Sequence, residues 1–304
     1  MNSTLIYSAC ALICAALLAY TLTPLVRVLA IKIKAIDVPT DGRRMHHKPI
    51  PRIGGLAIFL AFLITSIGFC RLDRELVTIL IGGSALVLLG ILDDVYRLNA
   101  FLKLAVQIVA ALFAVSQGVT IDYICFFGKY VAFGNWAIPI TVFWIVGLTN
   151  AVNFIDGLDG LASSVCATVA AFTLLLAVWR RDADSTVLAA ALLAGMRGFL
   201  VFNHHPAQMF MGDTGSLFLG GVIMGCAMMA GELLLFVLAG FVFVADMLTS
   251  LLQRWYFRLT HGKRLFPIAP IHHSFEKWGF GEYAVMGLFA GVSALFCVLA
   301  WFGK

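Results

Sequence analysis

Apolar runs long enough to cross a lipid bilayer follow one another along almost the whole chain. A helix needs about 20 mostly apolar residues to span the hydrocarbon core, and only helices or closed barrels satisfy their backbone groups there. The 304 residues are 62% hydrophobic and 12% charged, whereas soluble domains are about 45–50% apolar and about 25% charged. The sequence therefore predicts an all-α, polytopic membrane bundle that forms one integral-membrane domain over residues 1–304.

The apolar runs divide into about ten predicted spans, although the two that meet at Gly231 and Glu232 could form one reentrant unit. Lysine and arginine favour cytoplasmic loops. With both termini on the outer side, 15 of the 21 lysines and arginines fall inside and 6 outside, which predicts that orientation. Strand structure has a place only in the outer segment 119–135. The predicted spans are 5–30, 53–70, 76–93, 103–118, 136–152, 161–179, 185–202, 214–231, 233–254 and 283–302.

Five polar segments interrupt the apolar chain, and this orientation places all of them on the cytoplasmic side. Carboxylates near lipid are costly and usually functional. Since the orientation was set by lysine and arginine alone, the convergence of the acidic motifs predicts one assembled active site. The segments are Arg43–Arg52, Asp93–Asp94, Asn153–Gly160, Phe210–Ser216 and Pro270–His273.

Three acidic residues have the chemistry of a metal or base site. The adjacent carboxylates of Asp93 and Asp94 suit binding a divalent cation, or holding one group ready as a base; the alternative is a polar helix end. Asp213 lies between glycines just before a span, which suits a metal ligand with backbone amides nearby. Lys103 suits either a phosphate contact or a side chain that snorkels to the interface.

A second acidic group lies at the end of the fifth predicted span. Asn153, Asp156 and Asp159 recur at three-residue spacing, which keeps them near one face if the backbone stays helical. The alternative is an ordinary loop with Asp-Gly turns. Phe210 suits stacking on a planar base or simple core packing.

Basic and histidine residues follow the ninth predicted span. His272 and His273 suit phosphate binding or acid/base work, and Lys263 and Arg264 add phosphate-binding charge or mark a loop that faces anionic lipid. Carboxylates, cations and histidines together favour Mg²⁺-assisted chemistry on a phosphate substrate. The sequence contains no GxxxxGK[ST] motif, so nothing indicates an NTPase. The net charge of +5 requires no nucleic-acid partner.

At these motifs the chain resembles the polyprenyl-phosphate N-acetylhexosamine-1-phosphate transferases, the membrane enzymes that start bacterial cell-envelope glycans. The matching motifs occur in family order over nearly the whole chain, which makes the resemblance specific. They are Pro51–Gly55, Leu92–Asp94, Lys103–Gln107, Asn150–Ala162, Phe210–Ser216 and Pro270–His273.

The resemblance implies a bacterial inner-membrane enzyme whose active site faces the cytoplasm. Mg²⁺ or Mn²⁺ would bridge the diphosphate of a UDP-sugar, a polyprenyl phosphate such as undecaprenyl phosphate would attack, and UMP would leave. A homodimer in membrane lipid is also implied. The implied metal ligands are Asp213 and Asp94. The implied catalytic residues are Asp93, Asp94, His272 and His273. The implied substrate-binding residues are Lys48, Lys103, Asn153, Asp156, Asp159, Phe210, Lys263 and Arg264.

The motifs divide between two branches of the family. Pro51–Gly55 and Asn153–Gly160 resemble the branch that uses UDP-N-acetylglucosamine for teichoic acid, enterobacterial antigen or O-antigen. Residues 262–276 resemble the peptidoglycan branch, which uses a UDP-N-acetylmuramoyl-pentapeptide donor. That branch has a third histidine at Ser274 and usually lysine at Arg97, so we expect N-acetylglucosamine-1-phosphate transfer, with the pentapeptide donor as the alternative. An ion-coupled transporter and a lipid-binding scaffold are the alternatives of other classes.

Overall fold

A computed structural model describes residues 2–38, 49–126, 129–229 and 233–302 of the chain. Long helices dominate, and two small antiparallel strand pairs lie between them. The helices are α1 (Asn2–Lys32), α2 (Gly55–Phe69), α3 (Arg74–Tyr96), α4 (Ala100–Ser116), α5 (Ala137–Ile155), α6 (Leu161–Arg180), α7 (Ala183–Asn203), α8 (Gly212–Met229), α9 (Leu233–Ala239), α10 (Phe241–Leu259), α11 (Ile271–Lys277) and α12 (Glu282–Phe302). The strands are β1 (Ile36–Asp37), β2 (Ile50–Pro51), β3 (Tyr123–Phe126) and β4 (Lys129–Ala132).

The predicted all-α membrane bundle is confirmed. Among the described residues, seven helices are long and apolar enough to cross a bilayer, namely α1, α3, α5, α6, α7, α8 and α12. Two shorter apolar helices, α2 and α4, have 15 and 17 residues. A helix of this length reaches across the hydrocarbon core only where the bilayer thins or flanking side chains snorkel.

The ninth predicted span differs most from the structure. Residues 233–254 are not one helix, because the chain breaks at Gly240 between α9 and α10. The polar residues of α10, which include Asp246 and Gln253, lie among apolar ones, so the helix is amphipathic rather than uniformly apolar.

The strands follow the sequence only in part. The hairpin of β3 and β4, in which Tyr123 pairs with Ala132, lies in the segment expected to hold strand structure. The two-residue pairing of β1 with β2 was not predicted.

Helices α7 and α8 form the centre of the bundle. In the most apolar stretch of α7, and likewise of α8, 72% of the residues are buried. The corresponding fraction in α1 and in α12 is 28%, so these two helices lie at the periphery of the bundle. Helix α8 packs against α3, α5 and α2, and large side chains such as Phe62, Phe199 and Phe218 are fully buried between these helices. A helix that is apolar on all sides is expected to occupy the core.

The polar motifs gather at one end of the bundle, where α3 and α5 end and α4, α8 and α12 begin. The described ends of α1 and α12 that lie nearest the termini are at the opposite end, where the rings of Trp179 and Trp301 meet 6.2 Å apart.

Gly90 allows α3 to approach the start of α8. A Cβ atom at Gly90 would overlap the backbone of Thr214, whereas a Cβ atom at Gly82, on the same helix, would meet nothing within 4 Å. We predict that Gly90→Ala lowers the free energy of unfolding by about 1–3 kcal/mol, as overpacking does. The matched variant Gly82→Ala should be neutral or slightly stabilising, because alanine is the better helix former. Thermal unfolding in detergent measures both, and equal melting temperatures would contradict the close approach.

Candidate active site

Asp94 joins the end of α3 to the beginning of α8. Its Oδ1 accepts the backbone N–H of Asp213 at 3.1 Å, and its Oδ2 accepts the N–H and the hydroxyl of Thr214 at 3.0 and 2.7 Å. The side chain is buried, with 8% of the residue exposed. A carboxylate that accepts hydrogen bonds from the first amides of a helix satisfies donors that have no partner within the helix and complements its dipole.

Lys103 then links two acidic side chains from different helices. Its Nζ donates to Oδ2 of Asp93 and to Oδ2 of Asp213, both at 2.9 Å. The amide of Asn153 donates to the other oxygen of Asp213 at 3.0 Å. We call Asp93, Asp94, Lys103, Asn153 and Asp213 the carboxylate centre. The structure therefore brings together five predicted site residues from four helices.

The donor set of the carboxylate centre fits a hard divalent cation. Oxygen ligands are what Mg²⁺ prefers, and a carboxylate offers about four lone-pair sites. Asp213 accepts from Lys103 and Asn153, which leaves sites free. Asp94 already accepts three hydrogen bonds, so its predicted role as a ligand would use the little capacity it has left.

Asp156, at the end of α5, lies close enough to this centre to feel its charge. Burial and the negative charges of Asp213 and Asp94 together raise the pKa of Asp156 to about 8. The positive charge of Arg52 acts in the opposite direction. The site thus concentrates more negative charge than its lysine and arginine neutralise, and a bound cation would relieve that excess.

Two histidines on α11 form what we call the histidine pair. The Nδ1 atom of His272 lies 2.9 Å from Oδ2 of Asp246, and that of His273 lies 2.7 Å from Oε2 of Glu276. Both Nε2 atoms turn toward Gly157, where a Cβ atom would lie 2.5 Å from that of His272 and 3.1 Å from that of His273.

The groups around His273 shift its pKa in opposite directions. Burial lowers the pKa of His273, His272 lowers it further, and Glu276 opposes the change.

Asp159 belongs to a third group, beside the first two. Its Oδ2 lies 3.0 Å from Nδ1 of His205, whose ring is also 3.3 Å from Glu282. The ligand atoms of these three residues lie within 4.8 Å of one another, so they could also hold a metal ion. The carboxylate further accepts the N–H of Ala207 at 2.9 Å. Asp159, in the loop between α5 and α6, is therefore bound to the loop that precedes α8.

The remaining predicted residues are not all brought to this centre. Phe210 is half-buried, and its backbone bonds to Pro51 and Gly54. Lys263 and Arg264 are exposed on the loop after α10, where the Arg264 guanidinium donates to the carbonyl of Pro267 at 3.2 Å. Lys48 lies outside the described residues.

Residues 76–231 match the family described as glycosyl transferase family 4. This chain belongs to that family. The resemblance to the polyprenyl-phosphate N-acetylhexosamine-1-phosphate transferases is thereby confirmed, and the chain is a multi-pass bacterial inner-membrane transferase.

Several relatives match over most of the chain. A phospho-N-acetylmuramoyl-pentapeptide-transferase of Caldicellulosiruptor bescii is 36% identical over 278 residues, which are 86% of this chain and 86% of the relative. A protein of the same name from Clostridioides difficile is 34% identical over 281 residues, or 87% and 86%. A probable undecaprenyl-phosphate N-acetylglucosaminyl 1-phosphate transferase of Bacillus subtilis is 41% identical over 203 residues, or 66% and 56%.

The expected N-acetylglucosamine-1-phosphate transfer is wrong. The relatives that match over most of the chain share the pentapeptide-transferase name, and the N-acetylglucosaminyl relative matches over a shorter part. Two residues used for that expectation serve the local backbone instead. The buried hydroxyl of Ser274 bonds to the backbone of Ile268, and Arg97 is the left-handed residue that ends α3.

Three charged residues near the site were not among the predicted site residues. They are Asp246 and Glu276, which bond to the histidine pair, and Arg52, whose charge acts on Asp156. Asp246 had a usable signal, since it is a lone acid inside a predicted apolar span, where ionisable residues are usually functional. Glu276 lies one helical turn beyond His273, which is also a readable spacing. Arg52 had only its place in a basic segment, and its proximity to Asp94 and Asp156 comes from tertiary packing.

Gly157 leaves room for the histidine pair, which yields a test of the site. Its backbone has no special conformation, so alanine changes only the space in front of the Nε2 atoms of His272 and His273. We predict that Gly157→Ala reduces turnover about 100-fold, because small displacements of a catalytic group are that costly, while the melting temperature stays within a few degrees of the wild type.

The matched control is Gly147→Ala, on α5, where a Cβ atom would meet nothing within 4 Å. It should keep full turnover. If Gly157→Ala is as active as this control, the histidine pair does not need its observed position.

Proposed function

We propose that this protein transfers phospho-N-acetylmuramoyl-pentapeptide from its UDP-linked donor to a polyprenyl phosphate and releases UMP. The relatives that match over most of the chain support the donor. The observation that carries the proposal is the carboxylate centre, in which Lys103 lies between Asp93 and Asp213 at 2.9 Å from each. With a divalent cation bound to its carboxylates, such a centre would suit the polyanionic groups that this reaction brings together.

The proposed reaction exchanges one phosphoanhydride for another, so it is nearly isoenergetic. Catalysis then depends on positioning and on neutralising charge at the transferred phosphorus. Asp213, with Asp94, is the proposed holder of Mg²⁺ or Mn²⁺, which would neutralise diphosphate charge when bound. Asp93 is the proposed base or lipid-phosphate partner, and Lys103 and the histidine pair are proposed to contact phosphate.

The uridine side of the donor is proposed to contact Asn153, Asp156, Asp159 and Phe210. Lys48, Lys263 and Arg264 stay predicted substrate contacts. Because the lysine and arginine bias places this end of the bundle inside the cell, we propose that the site faces the cytoplasm. The single transferase domain and a homodimer also stay predictions.

Donor choice tests the proposed reaction directly. Purified protein with undecaprenyl phosphate and Mg²⁺ should release UMP from UDP-N-acetylmuramoyl-pentapeptide, and chelation of the metal should abolish that release. UDP-N-acetylglucosamine serves as the comparison donor. UMP release from the comparison donor alone, or from neither, would rule out the proposed function.

Replacing Asp213 separates catalysis from folding. Asp213→Asn keeps the shape of the side chain but removes the charge between Lys103 and the proposed cation, so turnover should fall at least about 100-fold, as for other charge-stabilising groups. The control Asp184→Asn, at the opposite end of α7, should keep wild-type turnover. Gel filtration and melting temperature in detergent show whether both variants fold. A fully active Asp213→Asn variant would show that the Asp213 charge is not needed for turnover and would overturn its proposed role in holding the cation.

A further inference from the structure

Asp246 is a carboxylate with no access to solvent, on the amphipathic helix α10. Its exposed fraction is 0%, and so is that of His272, the residue it contacts. Oδ2 lies 2.9 Å from Nδ1 of the His272 ring, and Oδ1 accepts the backbone N–H of His272 at 3.3 Å. One carboxylate therefore holds both the ring and the backbone of the same histidine.

The opposite edge of the His272 ring has no such partner. Its Nε2 atom is buried and makes no hydrogen bond to any described residue. The atom points at Gly157, where even a methyl group would collide with it. A buried polar atom without a partner is unfavourable. A donor or acceptor that arrives with a ligand would remove that cost, so the geometry marks Nε2 as a contact atom.

We propose that Asp246 is a positioning residue that fixes His272 with its proton on Nδ1, so that Nε2 is the ring atom left to contact a phosphate oxygen of the donor. This inference rests on the proposed function for the identity of that donor. Because a carboxylate only accepts hydrogen bonds, Asp246 compels Nδ1 to carry a proton. When the ring is also protonated at Nε2, Asp246 supplies the compensating charge and Nε2–H donates to phosphate.

An asparagine at position 246 would disturb this arrangement without changing its size. The two hydrogen bonds from His272 both require acceptors, and an amide offers only one acceptor oxygen beside its NH₂ group. If the NH₂ group faces Nδ1, the neutral ring must move its proton to Nε2. If the NH₂ group faces the backbone N–H, that hydrogen bond is lost. Either result alters what His272 presents to the donor.

A double-mutant cycle tests whether Asp246 acts through His272. We expect Asp246→Asn to lower kcat roughly 10- to 100-fold, the range typical when the partner that orients a functional histidine is lost. In a His272→Ala background the same change should have no further effect, because the group that it positions is gone. Asp246→Glu, which keeps the charge, should recover part of the activity.

A purely structural role would give a different pattern. Asp246→Asn would then lower the activity of the wild type and of His272→Ala by the same factor, and that result would overturn the proposal. So would an Asp246→Asn variant with turnover within twofold of the wild type. The control is Asp182→Ala, which removes the helix cap that bonds to Ser185 at the opposite end of the bundle. It should lower the melting temperature but keep kcat.

A spectroscopic measurement distinguishes this inference from the proposed reaction. In ¹⁵N-histidine NMR of the wild type in detergent, with His272→Gln used for assignment, Nδ1 of His272 should carry the proton. A ring protonated only on Nε2 would overturn the inference whether or not the enzyme turns over. If the Nδ1 proton is present but UDP-N-acetylmuramoyl-pentapeptide yields no UMP, the proposed function fails while the positioning by Asp246 stands. The wild-type spectrum decides this even if Asp246→Asn does not fold.

Discussion

The cap that Asp94 places on the first turn of α8 is the contact on which the rest of the site depends. It joins the end of one core helix to the beginning of another at a depth where an unpaired carboxylate would be costly. Because Asp94 accepts the backbone N–H of Asp213, it fixes the position from which the Asp213 side chain extends. Lys103 and Asn153 can reach Asp213 only because α8 starts at this point. The backbone that Asp94 caps therefore also carries Asp213, the proposed metal ligand.

The loop between α5 and α6 connects the three polar groups. Asp156 responds to the charge of the carboxylate centre, Gly157 lies against the histidine pair, and Asp159 bonds to His205 and to the loop before α8. Three residues of this loop thus interact with side chains on α3, α8, α11 and α12. A movement of this loop would shift the carboxylate centre, the histidine pair and the proposed nucleotide contacts together. That coupling suits a reaction that needs all of its groups aligned at once.

Much of the fold and of the candidate site could be predicted from the sequence, for reasons that differ between residues. Hydropathy located most of the spans because the bilayer imposes a minimum length on each. The count of spans then predicted that Asp93, Asp213 and His272 lie at one end, and they do. Hydropathy could not show the break at Gly240, because a glycine between apolar residues reads as one run. The partners of His272 and Asp94 come from distant parts of the chain, so no local pattern contained them. The donor expectation rested on Ser274 and Arg97, whereas relatives that match over most of the chain carry the pentapeptide-transferase name.

Lys103 has one more consequence. Its ammonium already neutralises charge between two carboxylates that lie on neighbouring helices, so the helices do not rely on an external ion to lie side by side. In many small metal sites, binding the metal and folding are a single event. Here the helices can assemble before an ion binds, so the ion-free and the ion-bound forms of the enzyme would share one fold. A divalent ion at the proposed site would then exchange with each substrate, because its binding would depend on the phosphates and not on the folding of the protein.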